Sequence, residues 1–168
     1  MGSEQHYPEE RPAHERSVSA FEMDSTTVTN ADFEKFVTET GYLTTAEIPL
    51  DPASAPGMPP DYFTAGSLVF HMTDGPVNLK DVRNWWSFIQ GANWKQPEGP
   101  GSSIAGRENH PVVQVSFYDA QAYAYWAGKA LPTEVEWEFA AKDGVKTLYP
   151  WGEELDDAEF QVNTWHGE

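Results

Sequence analysis

His110–Lys142 reads HPVVQVSFYDAQAYAYWAGKALPTEVEWEFAAK, and its local signals agree on two helices entered from an extended segment. Val112, Val113 and Val115 are a β-branched run after Pro111, which predicts a short strand. Ser116 with Asp119 predicts a helix start, the Ser side chain taking an early amide and the acid sitting in the positive first turn. Ala120, Tyr123, Ala124 and Ala127 then recur at helical spacing, and Gly128 supplies a left-handed stop. Thr133 and Glu136 form a second capping pair, with Val135, Trp137, Phe139 and Ala140 behind it and Gly144 as the next stop.

Working outward, Thr29 and Asp32 repeat the same start signal. Val28 before the cap and Phe33 in the first turn are placed to make a hydrophobic staple. Phe33, Phe36 and Val37 share one helical face, and Gly41 ends that helix. Arg16–Phe21 alternates as a strand does, with Val18 and Ala20 on one side. Pro49, Pro52, Pro56, Pro59, Pro60, Gly57 and Gly66 exclude regular structure between Ile48 and Gly66. Ser67–Met72 is a short apolar strand candidate. The Gly-, Pro- and Trp-rich stretch Asp74–Gly106 is expected to be mostly irregular. Three short helices, few short strands and long loops give the fold class α+β.

Composition bounds the chemistry. At 168 residues the chain has the length of one domain with a real core. Ten basic against 27 acidic residues leave a net charge of −17. Nucleic acid is disfavoured, because phosphate binding needs clustered Lys and Arg. A cationic partner is permitted, although an acidic surface is also what plain solubility requires. No stretch approaches the roughly 18 apolar residues that a membrane span needs. No basic n-region or apolar h-region is visible at the start. That would place the chain in the cytoplasm if it is bacterial and if Met1 is the true start. Cysteine is absent, which removes disulfides, thiolate metal sites and a cysteine nucleophile from these residues.

The remaining candidates are few. His6, His14, His71, His110 and His166 are scattered, with no i,i+4 pair to make a metal site. His110, before Pro111, reads as a structural hydrogen-bonding residue. The run Glu153, Glu154, Asp156, Asp157, Glu159 lacks the turn Gly that would preorganise a cation site, and reads as a solvated face. Trp85, Trp86 and Trp94 bring large aromatic area into a Pro/Gly-rich region. Such residues either fill the core under a loop or line a groove for an extended peptide.

The run Trp126-Ala-Gly-Lys-Ala-Leu-Pro-Thr-Glu-Val-Glu-Trp137 resembles the signature of the formylglycine-generating enzyme (sulfatase-modifying factor) family, W-A-G-K-R-L-P-T-E-A-E-W-E. Ala130 stands where Arg is usual and Val135 where Ala is usual. Five further blocks are similar to family blocks in family order: Met1–Phe21, Met23–Glu47, Asp51–Phe70, Trp85–Gly101 and Tyr149–Glu168. Ala124 sits where some eukaryotic-type members place a structural cysteine, so that disulfide is excluded here.

The resemblance implies a loop-rich C-type-lectin-like (sulfatase-modifying factor) fold, with residues 1–168 as the N-terminal part of a single domain. In the family, a further C-terminal part carries a catalytic cysteine pair. The implied activity is oxidation of a sulfatase cysteine, in a Cys-x-Pro-x-Arg context, to Cα-formylglycine with molecular oxygen. Copper held by those cysteines would serve it, since soft thiolates select Cu(I). A chain without them is expected to be inactive alone. Asn163, through its side chain, and Thr164, through its carbonyl, match half of a calcium site. Calcium takes about six to eight oxygens, so two are too few. A cleft for the sulfatase segment would need aromatic walls, for which Trp86 and Trp94 are the candidates. It would also need a carboxylate for the arginine, and Asp74, Asp81 and Glu98 are all possible. Alternatives are a non-catalytic paralogue or lectin-like binding module, and a relative of ergothioneine-type sulfoxide synthases.

Overall fold

In the computed structural model, residues 1–4, 7–142, 144, 145, 147 and 149–154 are described. The chain divides into two compact units, Ser25–Leu131 and Met1–Asp24 with the chain from Pro132 onward.

The Ser25–Leu131 unit is built on two capped helices. In α1, Asn30–Thr40, the Thr29 hydroxyl accepts from the Asp32 amide while the Asp32 carboxylate accepts from the Thr29 amide, a full capping box. Each bond satisfies an amide that the first turn leaves without an intrahelical acceptor. Gly41 ends the helix in the left-handed region at φ 68°, its amide returning to the Val37 carbonyl. In α2, Phe117–Trp126, Ser116 and Asp119 form the same box. Past its end, the Lys129 amide reaches back to the Ala124 carbonyl at 2.8 Å, with Gly128 at φ 71° making the turn.

The core of this unit is aromatic. Phe33, Phe36 and Trp94 are buried, with Val28, Val112, Val115, Tyr123 and Trp126 packed around them. The Phe33 ring meets Trp94 edge-on at 5.3 Å and stacks on Tyr123 at 5.9 Å. Trp126 closes on Phe36 at 5.5 Å. Such pairs add to what area burial already gives. Val28 against this cluster completes the staple that fixes how the chain enters α1.

One antiparallel pair, β1 (Gly66–Phe70) with β2 (Trp86–Gln90), makes the sheet of this unit. Its register places Leu68 opposite Phe88 and Phe70 opposite Trp86, with Ser67 opposite Ile89 and Val69 opposite Ser87. Because side chains alternate along a strand, the first two pairs share one face and the last two the other. Short 3₁₀ turns at Thr45–Glu47, Pro52–Ser54, Pro60–Phe63 and Val82–Asn84 fill the connections.

The other unit contains α3, Glu134–Lys142, begun by the Thr133–Glu136 pair. The Glu136 carboxylate accepts from the Thr133 amide and hydroxyl, each at 2.8 Å. On α3, the Glu138 carboxylate accepts from the Gly2 amide at 3.2 Å and lies 3.4 Å from the Met1 ammonium. Phe21 meets Phe139 edge-on at 6.3 Å.

The helices thus fall where the caps predict them. The strands differ. Val112–Val115 forms no strand; only Pro111 before it makes an isolated bridge, with Thr29, and Gln114 turns left-handed at φ 58° and breaks the extended run. Arg16–Phe21 joins no ladder among the described residues, and alternation without a partner strand makes no sheet. Conversely, β2 forms inside the stretch expected to be irregular, where its pairing with β1 outweighs the surrounding Gly and Pro. The Ser67–Met72 strand appears as Gly66–Phe70.

Phe33, 1% exposed, is the residue on which the aromatic core turns. Phe33→Ala is expected to lower unfolding free energy by about 3–5 kcal/mol, measured by urea denaturation. A loss below about 1 kcal/mol would mean that the cluster can close over the gap.

Candidate functional site

The residues Gln114–Asp119 hold the Ser25–Leu131 unit together at two points. The first is Asp119, fully buried. One carboxylate oxygen accepts from the Tyr42 hydroxyl at 3.0 Å, the Thr45 amide at 3.0 Å and the Thr45 hydroxyl at 3.2 Å. The other accepts from the Ser116 amide at 2.7 Å. A buried carboxylate without donors would be strongly destabilising. Here four donors and the positive end of α2 supply the compensation. Burial and then the hydrogen bond to Asp119 hold the Tyr42 phenol above its ordinary value.

The second point is Gln114. Its side-chain oxygen accepts from the Ser67 hydroxyl, and its amide nitrogen donates to the Leu68 carbonyl at 3.2 Å and the Pro97 carbonyl at 2.9 Å. Ser67 lies on the face of the hairpin that also carries Ile89, so Gln114 grips the sheet from that side. Ile89 itself sits against Gly99, where an added Cβ would come within 2.5 Å of the Ile89 side chain. Gly99, at φ 98°, is required for that approach. The other face of the hairpin turns outward. Leu68 is 52% exposed, Phe70 54% and Trp86 39%. Phe70 and Trp86 contact edge-on at 5.6 Å, and Tyr62 lies tilted on Phe88 at 5.0 Å.

The candidate residues separate accordingly. Trp86 is part of this outward aromatic face. Trp94 is fully enclosed beside Phe33 and contributes no accessible surface, because the loop carrying it folds inward over α1. Of the three carboxylates, Asp81 is taken by Arg83 at 2.8 Å and Glu98 by Arg107 at 2.7 Å. The hydrogen bonds from these arginines hold both carboxyls below their usual range. Asp74, in the connection between β1 and β2, is exposed and has no ion pair among the described residues. The His110 carbonyl accepts from the Asn30 amide at 2.9 Å. Asn163 and Thr164 lie outside the described residues, as do Asp156, Asp157 and Glu159 of the acidic run.

No group of three or more His, Cys, Asp or Glu side chains that could hold a metal occurs among the described residues. The chain also contains no cysteine, so a thiolate-bound copper does not fit the residues present. Asn163 and Thr164 together offer too few oxygens for calcium. No helix among the described residues is long and apolar enough to cross a membrane.

The model of one protein family, described as the sulfatase-modifying factor enzyme 1-like domain, matches residues 1–168. The chain belongs to this family. The family implies a C-type-lectin-like fold, in keeping with the three α-helices, two-stranded sheet and long loops found among the described residues. A formylglycine-generating enzyme of Mycobacterium tuberculosis is 50% identical over 168 residues, covering 99% of this chain and 56% of its own length. A mouse formylglycine-generating enzyme is 44% identical over 160 residues, covering 94% of this chain and 41% of its own. A mouse protein named inactive C-alpha-formylglycine-generating enzyme 2 is 40% identical over 164 residues, covering 94% and 48%. The chain spans about half the length of the curated relatives it matches.

Sequence reasoning missed Gln114 and Ser67, which carry no motif. The one available signal was a polar residue interrupting an otherwise apolar Val-rich run. Asp119 was legible as a cap but not as an acceptor for Tyr42 and Thr45, which lie far away in sequence.

The raised Tyr42 pKa has a direction. Its contribution to stability is fully present below the unfolded phenol value, about pH 10, and is lost as pH rises through the higher folded value. Asp119→Asn is expected to bring Tyr42 ionisation back toward the ordinary value, read as an ultraviolet difference titration against Tyr42→Phe. It should also lower stability by about 1–3 kcal/mol. An unchanged titration would show that Asp119 does not set the phenol's environment.

Proposed function

We propose that these residues are scaffold and part of the substrate-binding surface of a formylglycine-generating enzyme-type protein. That protein would oxidise a sulfatase cysteine in a Cys-x-Pro-x-Arg context to Cα-formylglycine. The observation carrying this reading is 50% identity across the whole chain to a protein of that name. The exposed apolar residues Phe117, Tyr118 and Tyr125 on α2 support a larger assembly, since clustered exposed apolar side chains ordinarily mark a contact surface.

In this reading the outward face of the hairpin, with Leu68, Phe70 and Trp86, forms one wall for an extended sulfatase segment. Asp74 is the carboxylate left free to meet its arginine. Charge favours the encounter, because a chain at −17 attracts a cationic segment. Calcium would be held through Asn163 and Thr164 together with oxygens from elsewhere in the protein. Copper chemistry would be supplied by cysteines that are not among these residues, and no step of it is assigned to them. What these residues do is orient the peptide and keep water from its apolar side.

A second reading, a non-catalytic paralogue that binds without converting, is favoured by the 40% identity to the mouse protein named inactive. The test incubates the chain with a Cys-x-Pro-x-Arg peptide, copper and oxygen, alone and mixed with the portion of the mycobacterial relative beyond the match. Mass spectrometry reads thiol-to-aldehyde conversion. No conversion alone and conversion in the mixture is the expected result. Conversion by the chain alone would contradict the proposal, while peptide binding without conversion in the mixture would select the paralogue.

A further inference from the structure

We infer that Gln114 is a positioning residue for peptide recognition: it fixes the back of the β1–β2 hairpin so that the Leu68–Phe70–Trp86 face is presented in one place. This rests on the reading of that face as the wall for a sulfatase segment.

Three observations carry the inference. The first is the backbone of Gln114, left-handed at φ 58° and the one non-glycine residue with positive φ among those described. An unbranched side chain rarely adopts this conformation, and it persists only where surrounding contacts over-determine it. The second is the saturation of its amide. Both polar atoms are used, and their partners belong to two segments, β1 (Ser67 and Leu68) and the loop at Pro97. The third is the alternation of β1. Ser67 faces Gln114, so Leu68 and Phe70 must face away, and they are exposed with Trp86.

A two-stranded hairpin is marginal without support. Here its support on the inner side includes the Gln114 amide and the seat of Ile89 on Gly99. The left-handed backbone is what aims the Gln114 side chain across at β1 instead of continuing the Val112–Val115 run. The occupant suited to the outer face has an apolar stem and a basic end, because the hairpin connection places Asp74, without an ion pair among the described residues, after Phe70 and Met72. An extended Pro- and Arg-containing segment has that chemistry. Nucleic acid does not, given the shortage of basic residues.

The test uses Gln114→Asn in the full chain. Asn tolerates the left-handed backbone, but its side chain is one methylene too short to reach both carbonyls, so it separates the clamp from the turn. Two measurements are made: amide hydrogen exchange across the chain, and binding of an unreactive Ser-x-Pro-x-Arg peptide followed by tryptophan fluorescence. The expected result is exchange about tenfold faster in Gly66–Phe70 and Trp86–Gln90, with α1 and α2 unchanged, and peptide affinity about tenfold weaker. A merely structural residue would loosen the hairpin and leave affinity intact, and that outcome overturns the inference. Unchanged exchange overturns it as well. Both of these leave the proposed function standing, provided that the wild-type chain binds the peptide and Trp86→Ala weakens it. A wild-type chain that does not bind removes the hairpin wall itself, and the inference with it.

Discussion

A single buried carboxylate organises the Ser25–Leu131 unit. Asp119 draws the start of α2, the turn at Thr45 and the Tyr42 hydroxyl onto one pair of oxygens, with no ion pair to it among the described residues. Hydrogen-bond donors and a helix end compensate its charge instead. The geometry is demanding, because every donor withdrawn leaves a buried acceptor short of partners. Consequently α1, which runs into Tyr42, and α2, which begins at Phe117, are fixed relative to one another at a polar point as well as through Phe33, Phe36, Tyr123 and Trp126.

The same stretch of chain reaches the hairpin. Four residues separate Gln114 from Asp119, yet one grips β1 and the loop at Pro97 while the other holds the Thr45–Glu47 turn, which lies beside β1. The hairpin is therefore referred to the helical core by two routes that begin in one segment. An arrangement of this kind allows an irregular, Pro- and Gly-rich region to present a defined surface. Rigidity comes from a few saturated polar groups rather than from a large sheet. For a family whose proposed substrate is an extended peptide, that is the property required of a binding wall.

How much of this was legible in the sequence follows from range. Each helix start was readable because the capping partners stand three residues apart: Thr29 with Asp32, Ser116 with Asp119, Thr133 with Glu136. Family membership was readable because whole blocks recur in order. The choice between core and groove for Trp86 and Trp94 was not readable, since both sit among Gly and Pro. It depends on the loop from Gly91 to Gly101 folding over α1, which carries Trp94 inward and leaves Trp86 on the outer face of β2. The strand expected at Val112–Val115 failed for a similar reason. Local β propensity was overridden by a side chain that had non-local partners to reach. Asp74, Asp81 and Glu98 looked equivalent until Arg83 and Arg107 claimed two of them.

The claim on which the account rests is that Asp119 couples the Tyr42 end of α1 to the start of α2. A double-mutant cycle between Tyr42→Phe and Asp119→Asn in the full chain, read by urea unfolding, measures that coupling without reference to any activity. The expected interaction energy between the two positions is about 1–2 kcal/mol. Simple additivity of the two substitutions would contradict it.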